Sequence, residues 1–191
     1  GRTESVCVFS RLLSKAVLAD RKPTMLFFVL SIALVCSKLV AASVQSPTLT
    51  SCSSAQSVKL SGVSITDAQI GKTMKVDFSM IITTQLASSP TLKITIKTSS
   101  GSTVPCINNV GSCTYKLCGG TTSLEQQFGM LWSNQCPINP ITVQQSITAN
   151  LDPSIQLLIG TAPTTLTIQI AILNGGVTVG CQSFKVNIAA A

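Results

Sequence analysis

The sequence predicts an all-β protein, an immunoglobulin-like antiparallel β-sandwich. Apolar and polar residues alternate over several segments, which is typical of strands with one buried face. Turn sequences separate these segments, among them Asn174-Gly175-Gly176, a two-glycine hairpin turn. The composition is 45% hydrophobic with only 4% aromatic and 10% charged residues. Its many β-branched residues favour strands over helices.

The clearest strands have a large apolar residue at every second position. The residues between are polar or small, so each strand is expected to bury one face. The positions predicted to face inward are Met74, Val76, Phe78, Met80, Ile82, Leu92, Ile94, Ile96, Leu166, Ile168, Ile170, Ile172, Phe184 and Val186. Further strands are expected near Val58, after Cys136 and at residues 155–159, giving roughly seven strands. A short helix is expected between Cys118 and Cys136.

Residues 1–43 are expected to lie outside the folded domain. An apolar run covers residues 26–36, broken only by Ser31; it is too short to span a bilayer but suits the core of a signal peptide. Small residues follow at positions 41–43, as a signal peptidase requires. We expect an upstream or non-native extension at 1–24, a signal peptide at 25–43 and one domain at 44–191. A membrane anchor is the alternative for the apolar run.

The cysteines predict a disulfide-stabilised domain. Three of them lie within the sixteen residues 103–118. An even number of cysteines behind a signal peptide predicts three bridges in an oxidising compartment, but six cysteines allow fifteen pairings. A zinc site is the weaker alternative, because the chain has no histidine and no second closely spaced cysteine pair. The cysteines after residue 43 are Cys52, Cys106, Cys113, Cys118, Cys136 and Cys181.

The charge pattern argues against nucleic-acid binding and catalysis. The formal net charge is +7, but residues 1–43 hold the arginines and the later lysines are scattered along the sequence. The clustered basic surface of nucleic-acid-binding proteins is therefore not expected. Without histidine there is no imidazole base for a Ser or Cys nucleophile. The acidic residues after position 43 are isolated, so we expect no enzyme activity, no cofactor and no metal.

A cysteine-rich pattern links the chain to a known family. Residues 105–115 read P-C-I-N-N-V-G-S-C-T-Y. They resemble the signature P-C-x-x-x-[LIV]-G-S-C-x-[FY] of the GM-two ganglioside activator-like branch of the ML (MD-two-related lipid-recognition) family. Ser88-Ser89-Pro90 and Gly180-Cys181 are similar to the same family, and the resemblance extends over roughly residues 52–188. The signature positions are Pro105, Cys106, Val110, Gly111, Ser112, Cys113 and Tyr115.

This resemblance implies both a disulfide pairing and a site. The implied bridges are Cys52–Cys181, Cys106–Cys113 and Cys118–Cys136. The implied fold is a cup, in which the inward-facing residues named above line an internal hydrophobic cavity for lipid tails. The activators carry a further cysteine pair between the positions of Cys118 and Cys136, which this chain lacks.

A second apolar group is expected to act at the rim of the cup. Phe128, Met130, Leu131 and Trp132 lie close together in the sequence, with Gly129 among them. Tryptophan favours membrane interfaces, so these four residues are predicted to form a cavity lip that contacts a membrane. The alternative is that they close the open end of the sandwich.

The resemblance implies a secreted or lysosomal lipid-binding and lipid-transfer protein. It would shelter acyl chains of a glycolipid, a phospholipid or a sterol-like lipid between two sheets, with transient membrane contact. The alternative is a receptor-accessory or secreted effector protein that presents lipid to a protein partner, such as a receptor or a glycosidase. A third reading is a disulfide-rich module with a filled core and no ligand.

Overall fold

The structure is a computed structural model, and it describes residues 42–191. The extension predicted at 1–24 and nearly all of the signal peptide predicted at 25–43 lie outside the described residues. Among residues 42–191, no helix is long and apolar enough to cross a membrane.

Two antiparallel sheets form a β-sandwich, which confirms the predicted fold class. The first sheet has the strand order β1-β3-β4-β7, and the second has the order β2-β9-β8-β5-β6. The predicted strands are present except for the one expected at residues 155–159, and strands β1, β2 and β6 add to them. The strands are β1 (Val44–Gln45), β2 (Thr50–Gln56), β3 (Val58–Thr66), β4 (Thr73–Ile82), β5 (Thr91–Lys97), β6 (Thr114–Lys116), β7 (Ile141–Asn150), β8 (Thr164–Asn174) and β9 (Val177–Ile188).

The alternation in β4 is reproduced by its side chains. Its even-numbered residues pack in the core, and its outward face carries Lys75 and Asp77, whose side chains form an ion pair at 3.0 Å. β4 pairs with β3 on one side and with β7 on the other over its whole length. Because it is a central strand, its inward face is the natural place for the apolar core.

The β8–β9 hairpin turns as the sequence predicts. Asn174 pairs with Val177, and the loop consists of Gly175 and Gly176 alone. Both glycines have positive φ, 60° and 79°, the combination that a tight type I′ hairpin turn requires and that glycine adopts without strain. The Asn174 side chain accepts a hydrogen bond from the Ser88 amide at 2.8 Å, which holds the turn against the neighbouring loop.

The strand predicted at residues 155–159 is wrong. Residues Pro153–Ile155 form a 3₁₀ turn that continues into a short helix, Gln156–Ile159. We call this helix α2, because the helix α1 described below precedes it in the chain. Asp152 begins the turn, since its carboxylate accepts the Ser154 amide at 2.9 Å and Pro153 occupies the first helical position. An Asp-Pro-Ser start of this kind is a helix N-terminus signal, and it outweighs the short apolar run that follows.

The expected short helix between Cys118 and Cys136 is present as α1 (Ser123–Gly129), followed by a 3₁₀ turn at Met130–Trp132. Thr122 and Glu125 form a capping box, in which each side chain accepts a backbone amide of the other residue. This box fixes the start of α1 next to β6.

The buried residues divide into two clusters, one at each end of the sandwich. The members of cluster 1 are Val58, Leu60, Met80, Ile82, Leu86, Leu92, Cys113, Tyr115, Leu117, Phe128, Ile138, Val143 and Ile172. The members of cluster 2 are Val63, Ile65, Ala68, Ile70, Val104, Leu151, Ile159, Leu166, Phe184, Val186 and Ile188. Phe78 and Ile170 are only partly buried and pack against both clusters. Every residue predicted to face inward belongs to one of the clusters or packs against it.

Three disulfides are present, with the pairing that the family resemblance implies. Cys52–Cys181 joins β2 to β9 across 129 residues of chain. Cys106–Cys113 closes a loop of 7 residues between β5 and β6, and Cys118–Cys136 brackets α1 with a separation of 18. The first bridge therefore fastens β2 to β9 within the second sheet, and the other two anchor the irregular segment beside it.

Candidate functional site

The two sheets are joined closely along one long side. Within residues 42–191, β3 of the first sheet and β9 of the second are the two strands from opposite sheets whose Cα atoms lie within 8 Å of each other at several positions. The side chain of Gln182 crosses from β9 and hydrogen-bonds both the amide and the carbonyl of Leu60 in β3, the latter at 3.1 Å. Gly180 faces the Val58 carbonyl so closely that a methyl group at this position would collide with it. On the β3–β9 side of the sandwich, the two sheets are thus joined by close contact between their backbones.

On the other side the sheets stand further apart. β4 and β7 of the first sheet face β8 and β5 of the second, and their inward side chains keep accessible surface. We call this region the inter-sheet wedge. Its residues are Met74, Val76, Phe78, Ile94, Ile96, Ile147, Ile168 and Ile170, all partly buried.

The position of these residues makes their exposure significant. Apart from Ile147, they lie on β4, β5 and β8, which are interior strands of their sheets, and they point toward the opposite sheet. A close-packed sandwich would bury such positions completely, as it does for Phe184 and Val186 on the closed side. Accessible surface therefore remains on inward-facing side chains at the level between the two clusters.

The wedge is lined mainly by hydrocarbon. The lysines and acidic residues of β3, β4, β5, β6 and β9 lie at outward positions, so within the described residues these strands point no ionic group into the wedge. Gln182, which pairs with Ile170, is a polar residue on the closed side, and Gln145 is a polar residue on the open side. It sits opposite Phe78 in the β4–β7 ladder, half-buried, and donates a hydrogen bond to the Gln127 carbonyl of α1 at 3.3 Å. This bond ties α1 to β7 at one end of the opening.

The four residues predicted to form a lip are separated by the structure. Phe128 is 4% exposed and belongs to cluster 1, whereas the Met130 side chain is 71% exposed. Leu131 and Trp132 are partly buried against cluster 1, and the Trp132 indole donates a hydrogen bond to the Leu117 carbonyl at 2.6 Å. Phe128, Leu131 and Trp132 thus close one end of the sandwich, as in the alternative considered above. Membrane contact through this segment stays a prediction, with Met130 as its exposed member.

A second exposed apolar feature lies on the loop of residues 105–111. This loop leaves the sheet beside Ile96, whose carbonyl accepts the Val104 amide at 2.8 Å. At its tip Ile107 and Val110 are 45% and 53% exposed, while the Tyr115 hydroxyl donates to the Asn109 carbonyl at 2.8 Å and holds the tip in place. The loop joins β5 to β6, which is the edge strand of the second sheet.

Glu125 fastens α1 to the second sheet. Its carboxylate accepts backbone hydrogen bonds from Lys116 at 2.8 Å and from Thr121 and Thr122 at 3.0 Å. These bonds, with that from Lys116 the strongest, lower the pKa of Glu125 from 4.5 to about 2. The carboxylate is 8% exposed, and it stays ionised at the pH of about 5 found in acidic compartments.

Two surface clefts lie outside the sandwich. One, of about 550 Å³, is lined by residues beside the Cys118–Cys136 bridge, among them Pro90 and Asn134. The other, of about 660 Å³, lies near Ser43, Pro163 and Ala189. Both are shallow and open to solvent, so neither corresponds to the internal cavity that the family resemblance implies. The space that fits this expectation is the open wedge.

Sequence reasoning missed Gln145 as a member of the site. The signal was available, because Val143 and Ile147 alternate in phase and place Gln145 at the inward position between them. Val110 was noticed only as a signature residue, and Ile107 was not singled out. Both lie in the loop that the Cys106–Cys113 bridge closes.

Comparisons with known proteins add a limited likeness. No protein family model and no curated protein matches the chain. Among solved structures, a Niemann-Pick type C2 protein from Japanese carpenter ant superposes with a TM-score of 0.45 and 10% identity, over 75% of this chain and 99% of that one. The C-terminal domain of wzt superposes with a TM-score of 0.42 and 9% identity, over 76% of this chain and 78% of that one. At these scores the likeness assigns the chain to no family.

Proposed function

We propose that this chain is a secreted or lysosomal lipid-binding and lipid-transfer protein that takes acyl chains into the inter-sheet wedge. The observation that carries the proposal is the partial exposure of Phe78, Ile94 and Ile170 on interior strands that face each other. The resemblance of residues 105–115 to lipid-recognition proteins supports it. The proposed activity is binding and transfer, without a catalytic step.

The chemistry of the wedge supports an apolar guest. Its walls are aliphatic apart from Phe78 and the polar side chains at its margins, and flexible aliphatic walls suit chains of variable shape. Each methylene kept out of water is worth about 0.8 kcal/mol. A bilayer shelters a lipid tail equally well, so exchange between membrane and wedge is close to neutral. That balance suits a carrier, which must both load and release its lipid.

Exposed apolar residues at this end of the molecule support a membrane-facing rim. Ile107 and Val110 on one side and Met130 at the end of α1 expose large apolar side chains. Single exposed apolar residues need no explanation, but three beside an apolar opening support transient contact with a lipid surface. The three disulfides support an oxidising compartment as the place of action.

The test is to fill the wedge from within. In Ile170→Phe the larger ring enters the unfilled space, so we expect stability to be kept while lipid uptake falls at least about tenfold. Native mass spectrometry would report co-purified lipid, and fluorescent phospholipid exchange between vesicles would report transfer. Urea unfolding would report stability.

The matched control is Ile172→Phe, two residues along the same strand. Ile172 is 3% exposed within cluster 1, so the extra volume there should cost about 1–3 kcal/mol of unfolding free energy. If Ile170→Phe destabilises the protein as much as Ile172→Phe does, the wedge is already packed and the proposal fails. Wild-type protein that carries no lipid and exchanges none would contradict it equally.

A further inference from the structure

The outer face of the second sheet gathers four lysines. Lys93 and Lys97 on β5, Lys116 on β6 and Lys185 on β9 are all exposed, and each lies at an outward position because its neighbours in the strand pack in the core. The expectation from the sequence that the lysines are scattered is therefore wrong for this face. Strand pairing brings together residues that are far apart in the chain.

The register fixes how these lysines are spaced. Lys97 and Lys185 lie in one row on either side of Thr167, two strand spacings or about 10 Å apart. Lys93 lies four residues from Lys97 on the same strand, about 13 Å away. Lys116 pairs with Thr91, which places it diagonally beyond Lys93. The four ammonium groups form a stripe about 25 Å long across the sheet.

Within the described residues, this stripe has no opposing charge on its own face. In the part of the chain that the structure describes, Lys75 on β4 pairs with Asp77 at 3.0 Å and Lys72, just before β4, lies 3.8 Å from Asp67, whereas Lys59 on β3 forms no ion pair. On the second sheet, the strands β2, β5, β6, β8 and β9 contain no acidic residue. The acidic group nearest to the stripe is Glu125, whose carboxylate is buried and held by backbone amides, including that of Lys116.

The floor of the stripe is flat and polar. Between the lysines lie the outward side chains of Thr95, Thr167, Gln169 and Ser183, which are short or amide-bearing and can hydrogen-bond. A surface that inserts into a membrane combines basic residues with large apolar ones. On this face Leu173, which pairs with Thr91 in the row of Lys116, is large, apolar and partly exposed, whereas the positions between the other lysines carry no such residue. Nucleic-acid surfaces add arginine and stacking aromatics, which these positions also lack.

We propose that this face, which we call the lysine face, binds an extended sulfated glycan. A stripe of separated ammonium groups over hydroxyl and amide groups matches a chain that offers sulfates at intervals and hydroxyls between them. Long-range attraction to such a polyanion follows from the unbalanced positive charge. The face points away from the wedge, so glycan binding and lipid binding use different surfaces of the molecule.

The experiment compares two double variants of the full chain with equal net charge. Lys97→Gln with Lys185→Gln removes two charges from the lysine face, and Lys59→Gln with Lys75→Gln removes two exposed charges from the first sheet. Affinity for heparin would be measured by calorimetry at two salt concentrations. We expect the first variant to bind about tenfold more weakly, with a smaller salt dependence, and the second to stay within about twofold of wild type.

Further arms separate the sources of negative charge. Heparin stripped of its sulfates should bind much more weakly than heparin. Equal losses in the two double variants, or binding that ignores sulfation, would overturn the proposal. An absence of heparin binding would also overturn the proposal. The same holds if phosphatidylserine vesicles bind through the lysine face and heparin does not. Phospholipid exchange should be unchanged in both variants, which keeps this outcome independent of the proposed lipid function.

Discussion

At the scale of single residues, Glu125 shows how one buried charge can hold an element in place. It connects the start of α1 to β6 through three backbone amides. Because α1 also receives the Gln145 hydrogen bond from β7, it bridges the edges of the two sheets at one end of the wedge. The residue that fixes α1 therefore also fixes that end of the opening.

Replacing Glu125 by Gln should loosen this bridge. Gln has the same size but accepts fewer and weaker hydrogen bonds from amides, so we expect a loss of about 1–3 kcal/mol in the free energy of unfolding at pH 7. Urea unfolding would measure it. Asp152→Asn is the control, because asparagine caps a helix about as well as aspartate. Equal losses in the two variants would show that the Glu125 contacts have no special weight.

The same residue predicts a pH dependence. The folded pKa of Glu125 is about 2, below its ordinary value of 4.5, so its contribution is complete above pH 4.5 and is lost as the pH falls toward 2. The stability difference between wild type and Glu125→Gln should therefore be constant from pH 7 to 5 and shrink below 4.5. A difference that stays constant down to pH 2 would contradict this assignment.

Residue patterns predicted the inward faces well, because alternation is a local property. The alternation of apolar residues between Met74 and Val186 identifies the inward positions of β4, β5, β8 and β9, even when the strand pairing is unknown. The lysine face could not be predicted in this way. Lys97 and Lys185 meet only through the register of β5, β8 and β9, which sequence spacing does not encode.

At the scale of elements, the contact between β3 and β9 sets the geometry of the site. Gly180 lets the two backbones approach, and a side chain there would have to push them apart. Gly180→Ala should therefore lower the free energy of unfolding by about 1–3 kcal/mol. Thr178→Ala, two residues earlier on β9 and half-buried, is the control and should change stability less. A neutral Gly180→Ala would show that β3 and β9 are not held at this point.

The short elements mark where sequence reasoning reached its limit. At residues 155–159 an apolar run suggested a strand. The preceding Asp152 and Pro153 favour the start of a helix, and a helical turn is the structure that forms. Strand β6 has only three residues, too few for a period to be recognised. Its place at the sheet edge depends on pairing with β5 and on the two bridges that flank it.

At the scale of the whole molecule, the Cys52–Cys181 bridge encloses most of the domain. Removing it through Cys52→Ser with Cys181→Ser should cost about 5 kcal/mol, since the bridge closes a loop of 129 residues in the unfolded chain. Removing Cys106 and Cys113 in the same way should cost about 2 kcal/mol, because that loop spans only 7 residues. Chemical unfolding of the two variants would measure both values. The reverse order of stability would contradict the loop-entropy explanation.

The degree to which the sheets separate was beyond sequence analysis. Alternating apolar residues are equally consistent with a filled core and with an open one, and only the family resemblance favoured the latter. Phe78, Ile94 and Ile170 remain partly accessible at interior positions, and this observation supports the proposal of an open core. The four residues expected to form a lip do not share one environment, although they are close in sequence. Phe128 is buried in the core, whereas Met130 is exposed.

The one-sided closure of the sandwich has a mechanical consequence. The two sheets are in close contact along β3 and β9 and are not joined along β7 and β5. The contact at Gly180 and Gln182 then acts as a hinge line that sets the angle between the two sheets. Substitutions at these two residues should change that angle more than substitutions along β5 or β7.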